Sequence, residues 1–323
     1  MKKIVLLIIA LLVMVYLHYG GFSTGDYVEG VEFKDEIVIP SDKRIIALGE
    51  ASHGNKEFQE LKLKIFKKLV EENGVRAFAI EGDFGGCLEV NEYIHGGEGT
   101  TLEAVKRIGF KIYQTKEMMD LIDYMRDYNM SHNDDINFYG FDMQRTKYLD
   151  KEYSDEDINL YLKEIKRQNK ELNNSLLRDK YMAQNVEWIL SREDKVFVCA
   201  HNEHIAKWGS YDSMGKLLSL KEENGYYVIG TDFYKSKCNL PFMGRRIVRT
   251  FYSHDPLTKS LKMSGKEVGI IDTSSLDIDY IYMGSLGEGF YLIPQSYRIF
   301  QPPKTMYDAM VLFVNVNPTD IIE

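Results

Sequence analysis

The chain is poor in cysteine, with three residues among 323: Cys87, Cys199 and Cys238. They are odd in number and lack C-x-x-C spacing, which argues against a disulfide framework and against a thiolate zinc site. No basic patch with interleaved aromatics occurs, and the net charge is −9, so nucleic acid is excluded as a partner. H-E-x-x-H, P-loop and G-x-G-x-x-G patterns are all missing. Repeats, low-complexity tracts and an interdomain linker are missing too. Two short patterns match by letter only. Gly21-Phe22-Ser23-Thr24-Gly25 reads G-x-S-x-G, but it is not placed on a strand-turn-helix elbow. Ser213-Met214-Gly215-Lys216 reads S-x-x-K, a pattern frequent by chance. What remains is ordinary globular composition, 44% hydrophobic and 28% charged, on a chain long enough to bury a sizeable core.

Lys2 and Lys3 precede an apolar run over residues 4–17, the n-region and h-region of an export signal. Small residues at A-x-A positions do not follow, nor does a cysteine that could accept a lipid. The run is short for a membrane span unless it extends to Phe22. Residues 1–22 are therefore expected to be a signal or membrane-anchor segment. The protein would be exported, and either membrane-anchored or extracellular, with residues 30–323 as the globular domain.

Strand candidates recur over 45–48, 77–80, 136–141, 196–200, 226–230, 268–271 and 310–316. Most are continuous apolar runs, as suits strands covered on both faces. Helical patterns alternate with them. Phe58, Leu61, Ile65 and Leu69 form one buried stripe, and Asn73-Gly74 ends that helix. The expected fold is α/β, a mostly parallel central sheet with helices on both faces. Residues 154–193 break the rhythm as a helical insertion, either a lid or a plain crossover. It starts at a Ser154-x-x-Asp157 cap, and a second helix covers 178–190.

Three strand exits carry acids and imidazoles. Gly49-Glu50-Ala51-Ser52-His53-Gly54 follows 45–48, Glu81 follows 77–80, and His201-Asn202-Glu203-His204 follows 196–200. In open α/β sheets, sites form beyond the carboxyl ends of strands. His53, at a helix mouth, is placed to take a proton from water, with Glu50 orienting the ring; the alternative is that Ser52 or His53 caps the helix. His201 and His204, three residues apart, would face one side and bind a metal or stabilise an oxyanion. Glu81 is costly to bury unless it is used. Asp83, Asp142 and Asn202 are lesser candidates, for substrate binding.

Assembled, these blocks resemble the erythromycin esterase family. The resemblance rests on Gly49-Glu50-x-x-His53-Gly54, Phe78-Ala79-Ile80-Glu81-Gly82-Asp83 and Gly140-Phe141-Asp142. It continues through Arg178-Asp179-x-x-Met182-Ala183-x-Asn185, Ala200-His201-Asn202-x-His204, Met214-Gly215, Val228-Ile229-Gly230-x-Asp232-Phe233 and Tyr307-Asp308-Ala309. The blocks run in family order from about residue 40 to the C-terminus. The resemblance implies a hydrolase of a small-molecule carboxylic ester or lactone that needs neither serine nucleophile nor cofactor. His53 would be the general base, Glu50 and Glu81 its supports, and His201 and His204 the stabilisers of the tetrahedral intermediate. Two positions depart from the family. Lys62 stands where an arginine is common, and lysine cannot make a bidentate fork. Glu203 stands between the histidines, where a small residue is expected.

Two other readings use the same residues. Glu50, His53, Glu81, His201 and His204 could form a mixed N/O ligand set for zinc, manganese or iron in a metal-dependent hydrolase. A non-enzymatic surface protein could hold a metal or haem through the histidines. Substrate identity and oligomeric state are left open by the sequence.

Overall fold

The computed structural model describes residues 2–18, 27–243, 245–253, 255–287 and 298–322. The Gly21–Gly25 match, His254 and the end of the expected N-terminal segment lie outside the described residues. Ten strands are described: β1 (Ile45–Glu50), β2 (Ala77–Asp83), β3 (Asn137–Asp142), β4 (Val196–His201), β5 (Tyr226–Phe242), β6 (Arg245–Tyr252), β7 (Val268–Asp272), β8 (Ile281–Gly284), β9 (Arg298–Gln301) and β10 (Ala309–Val316). The main sheet runs β3-β2-β4-β1-β5-β10-β7, with β6 paired to β5. The pairings from β3 through to β10 are parallel, while β7 and β6 join antiparallel. β8 and β9 form a separate ribbon.

The parallel core follows from its sequence. β1, β2 and β4 are buried along their whole length, so both faces need cover. One face carries the helices Lys56–Glu72 and Lys116–Ser131, which pack Leu61, Ile65, Leu69, Leu121 and Met125 on Phe78 and Phe197. The other carries Ser175–Leu190, Met214–Glu222 and Pro256–Ser264, through Met182, Val186, Leu218 and Leu261. The expected α/β sheet, covered on both faces, is what the chain forms.

Three local readings change. The helix over the 154–193 stretch is capped by Asp155, whose carboxylate accepts from Asp157 N and Ile158 N, rather than by Ser154. Ser213 caps Met214–Glu222 by accepting from Lys216 N, which gives its S-x-x-K match a structural role. β5 continues twelve residues beyond Gly230 to Phe242 and turns back as β6, a hairpin the apolar-run reading did not contain.

The expectation of an exported, membrane-anchored protein is overturned. Among the described residues no helix is long and apolar enough to cross a membrane. The described part of the N-terminal helix, Lys2–His18, has 17 residues. At ~1.5 Å per residue it reaches about 26 Å, short of a hydrocarbon core of ~30 Å. Signal-peptide and transmembrane assignments therefore have no structural support.

Candidate functional site

Sheet register builds the site. Parallel pairing sets Glu50, the last residue of β1, beside His201, the last residue of β4. β2 lies on the far side of β4, and Glu81 Oε2 accepts from His201 N at 3.2 Å. The three strand exits singled out from sequence thus meet at one end of the sheet.

Glu50 is fully buried. Lys62 Nζ, equally buried, lies 2.6 Å from its Oε1, a contact of charges made off the hydrogen-bond direction. Gln59 donates to Oε2 at 3.0 Å and accepts from Lys62 at 2.6 Å. Burial alone would raise the Glu50 pKa; Lys62, with His53, outweighs it and lowers it. Lys62 is therefore an internal counter-ion.

His53 Nδ1 is 3.8 Å from Glu50 Oε2, too long for a hydrogen bond, and has no other partner. Neither His53 nor Ser52 caps the helix, because the N-cap position is Asn55 and the helix begins at Lys56. His53 stands clear of the first turn, where the helix dipole acts. Its ring centroid is 5.2 Å from that of His201 and 6.4 Å from that of Tyr113.

His201 is buried and its Nε2 has no partner. Burial, with His53 and His204 nearby, pulls its pKa down to about 3, so the ring is neutral at ordinary pH. His204 faces the other flank. Its Nδ1 is 2.8 Å from Asp179 Oδ1, and its Nε2 is 3.2 Å from Arg178 Nη1 and 3.6 Å from Glu81 Oε1. Burial opposes the imidazolium, but Glu81 and Asp179 prevail and raise the pKa.

Arg178 is the hub of that flank. Its Nη2 donates to Glu81 Oε1 at 2.6 Å and to Asp142 Oδ2 at 2.7 Å. Against the effect of burial, His204 and Arg178 hold Glu81 well below the usual carboxylate range. Asp142, fully enclosed, is raised by burial despite Arg178. Asp83 accepts from Gly86 N at 2.8 Å as an N-cap, with Oδ1 buried and unpartnered, and burial lifts it to about 6.

The cluster therefore brings together Glu50, His53, Glu81, His201 and His204. Asp142 lies behind them on Arg178. Asn202 is spent on the backbone, donating to Thr231 O at 2.8 Å and accepting from Thr231 N at 3.1 Å. Sequence reasoning assigns no site role to Arg178, Asp179 or Tyr113, and notes Lys62 only as a departure from the family pattern. Arg178 and Asp179 stand in a quoted motif, but on a helix read only for its span. Tyr113 is fully buried, with a hydroxyl that has no partner. Burial, with Glu50 and Glu81 near, raises its pKa well above the ordinary value, so it stays protonated. Among the described residues no three His, Cys, Asp or Glu side chains come together as a metal-ion site.

An α/β sheet with paired acids and imidazoles at its carboxyl end defines a class, and comparison with known proteins narrows it. The erythromycin esterase family model matches residues 70–168 and 150–313, and the chain belongs to that family. Erythromycin esterase type II of Escherichia coli is 34% identical over 114 residues, 35% of this chain and 27% of that protein. A putative hydrolase of Bacillus subtilis, YbfO, is 31% identical over 105 residues, 32% of this chain and 23% of that one. The matched stretches thus span about a quarter of these curated relatives. Among solved structures, a succinoglycan biosynthesis protein superposes with TM-score 0.75 at 20% identity, covering 87% of this chain and 90% of that one. A mutant of the erythromycin esterase EreC in its open conformation gives 0.64 at 14% identity, covering 87% and 93%. At these identities the structures speak for the fold.

Proposed function

We propose that the protein is a hydrolase that cleaves a carboxylic ester or lactone with water activated by His53, without a serine nucleophile. Family membership supports hydrolysis. The bond and the mechanism are read from the site. One observation carries the reading: two buried imidazoles, His53 and His201, stand 5.2 Å apart at the strand ends with ring nitrogens unpartnered.

In this mechanism Glu50, fixed by Lys62 and Gln59, draws the Nδ1–H of His53 and leaves Nε2 to accept a proton from water. The 3.8 Å separation closes to hydrogen-bond length when substrate fills the site, as contacts in unliganded active sites commonly do. Neutral His201 and the protonated Tyr113 hydroxyl are N–H and O–H donors for the oxyanion that develops on the carbonyl. Arg178, tied to Glu81 and Asp142, anchors the opposite wall. General-base assistance contributes about 10²–10⁴-fold, and each oxyanion donor about 10²–10³-fold.

The test is turnover of a panel of aryl esters and lactones by the protein and by His53→Ala. Loss of turnover to background, with a thermal transition shifted by less than about 2 °C, is the expected outcome. Retained turnover, or a large drop in stability, would refute the base assignment. Turnover abolished by chelator and restored by one metal would replace it with the metal-dependent alternative.

A further inference from the structure

Beside the catalytic cluster lies a cavity of about 380 Å³ with four cations in its lining, Lys111, Arg145, Arg245 and Arg246, and no acid. On a chain of net charge −9 this local excess stands out. Phe110, Ile112 and Pro241 supply an apolar surface. Arg145 lies over the Phe110 ring, 5.1 Å from its centroid, which orients the guanidinium. Arg246 is committed to the hairpin, donating to Asn239 O at 2.7 Å and to Asn239 Oδ1 at 3.2 Å.

Both walls of this cavity are joined to the His53 site. On one side, the turn Lys111–Tyr113 ends in the tyrosine whose ring faces His53. On the other, Asn239 N donates to Gly54 O at 3.1 Å, so the β5–β6 hairpin is pinned to the residue after His53. The side chains of Asp83 and Arg145 approach each other across Gly109. An anionic group would be repelled from Glu50, Glu81, Asp83 and Asp142, and drawn to the cavity next door. A volume near 400 Å³ is that of a small-ligand pocket and suits a short carbon chain ending in a carboxylate or phosphate.

We propose that this cavity is the specificity subsite of the enzyme, and that the substrate is an ester whose acyl or alcohol part carries an anionic group several bonds from the scissile carbonyl. Lys111, Arg145 and Arg245 hold that group, and the apolar surface takes the intervening chain. The proposal rests on the ester-hydrolase reading above. It goes further by fixing the sign of charge on the substrate.

The experiment compares p-nitrophenyl hemiglutarate with p-nitrophenyl valerate, which match in chain length and differ in charge. The wild-type protein is tested against the double variant Arg145→Gln/Arg245→Gln. Both side chains are exposed, so folding is unaffected, and a thermal scan verifies it. We expect wild type to prefer the hemiglutarate. The double variant should raise its KM about tenfold or more, the loss of one to two charge-assisted hydrogen bonds, with kcat and both valerate parameters unchanged. No preference for the charged ester, or equal changes for both esters, overturns the proposal. If neither ester turns over, the hydrolase reading fails on these substrates and calorimetry decides the subsite. Glutarate or inorganic phosphate bound by wild type and lost in the double variant supports it, and identifies the anion. Binding absent, or unchanged in the variant, overturns it.

Discussion

Glu50 and Glu81 sit at exits of the same sheet, on either side of β4, and each is held as a carboxylate against burial, Glu50 by Lys62 with His53, and Glu81 by His204 with Arg178. The cations differ in kind. Lys62 is a point charge sealed from water, meeting Glu50, the Gln59 amide and the face of Tyr113 at 5.2 Å. Arg178 is a partly open fork that spans Glu81 on β2, Asp142 on β3 and His204 after β4. The first arrangement is local and dry, a fixed floor beneath His53. The second ties a covering helix to three strand exits, so movement of that helix is felt at Glu81. The same electrostatic task is solved once for rigidity and once for linkage, and replacing each cation separates the two.

The largest effect is expected from Lys62→Met. It leaves Glu50 buried without a counter-ion and should cost about 3–5 kcal/mol of unfolding free energy, together with most turnover. Urea unfolding at pH 7.5 measures it. Adding Glu50→Gln should recover most of the stability and none of the activity, since the orienting carboxylate is gone. A single variant that loses less than about 1 kcal/mol would mean that the ion pair is not what holds the floor.

Arg178→Lys should cost less, about 1–3 kcal/mol, because a cation remains and water can reach the site. A single ammonium can take the place of Nη2 between the two carboxylates but cannot also keep the Nη1 contact with His204. Turnover should fall out of proportion to stability, ten- to a hundredfold in kcat, as the Glu81 wall loses its position. Equal kcat in variant and wild type would show that the helix Ser175–Leu190 covers the site without shaping it.

The same contrast explains what could be read from sequence. The floor was legible in part, because Glu50 and His53 lie on one short run after an apolar strand and burial makes such runs conspicuous. The parallel sheet was legible for the same reason, since β1, β2 and β4 are uninterrupted apolar segments. The linkage was not. Arg178 is 97 residues from Glu81 and 36 from Asp142, and nothing local marks a helix position as the meeting point of distant strands. Lys62 is marked in the sequence only as a lysine where the family often has arginine, and its enclosure against Glu50 shows only in the fold. The β5–β6 hairpin escaped because its outer half alternates between buried and exposed residues and is not continuously apolar. The N-terminal reading already found the apolar run short for a membrane span, and no described helix is long and apolar enough to cross one.

Another carboxylate at these strand ends, Asp83, sharpens the comparison because the cation near it, Arg145, is exposed and does not offset burial. It is buried, with one oxygen on Gly86 N and the other unpartnered, and its pKa rises to about 6 from burial. An unfolded aspartate titrates near ~3.9. Between about pH 4 and 6 the folded chain therefore holds the extra proton, and stability falls as pH rises through that window. Above it the charged form carries a penalty on the order of 2 kcal/mol. Asp83→Asn keeps the cap, since an asparagine oxygen can accept from Gly86 N as well as an aspartate does, and it removes the charge. The variant should be more stable than wild type at pH 7.5 by up to that amount, and the gain should vanish below pH 4. Thermal scans across pH read it directly. A variant no more stable at pH 7.5, or a gain that persists at pH 4, would mean that Asp83 finds compensation like that of Glu50 and Glu81, and that burial without an enclosed counter-ion is not what distinguishes it.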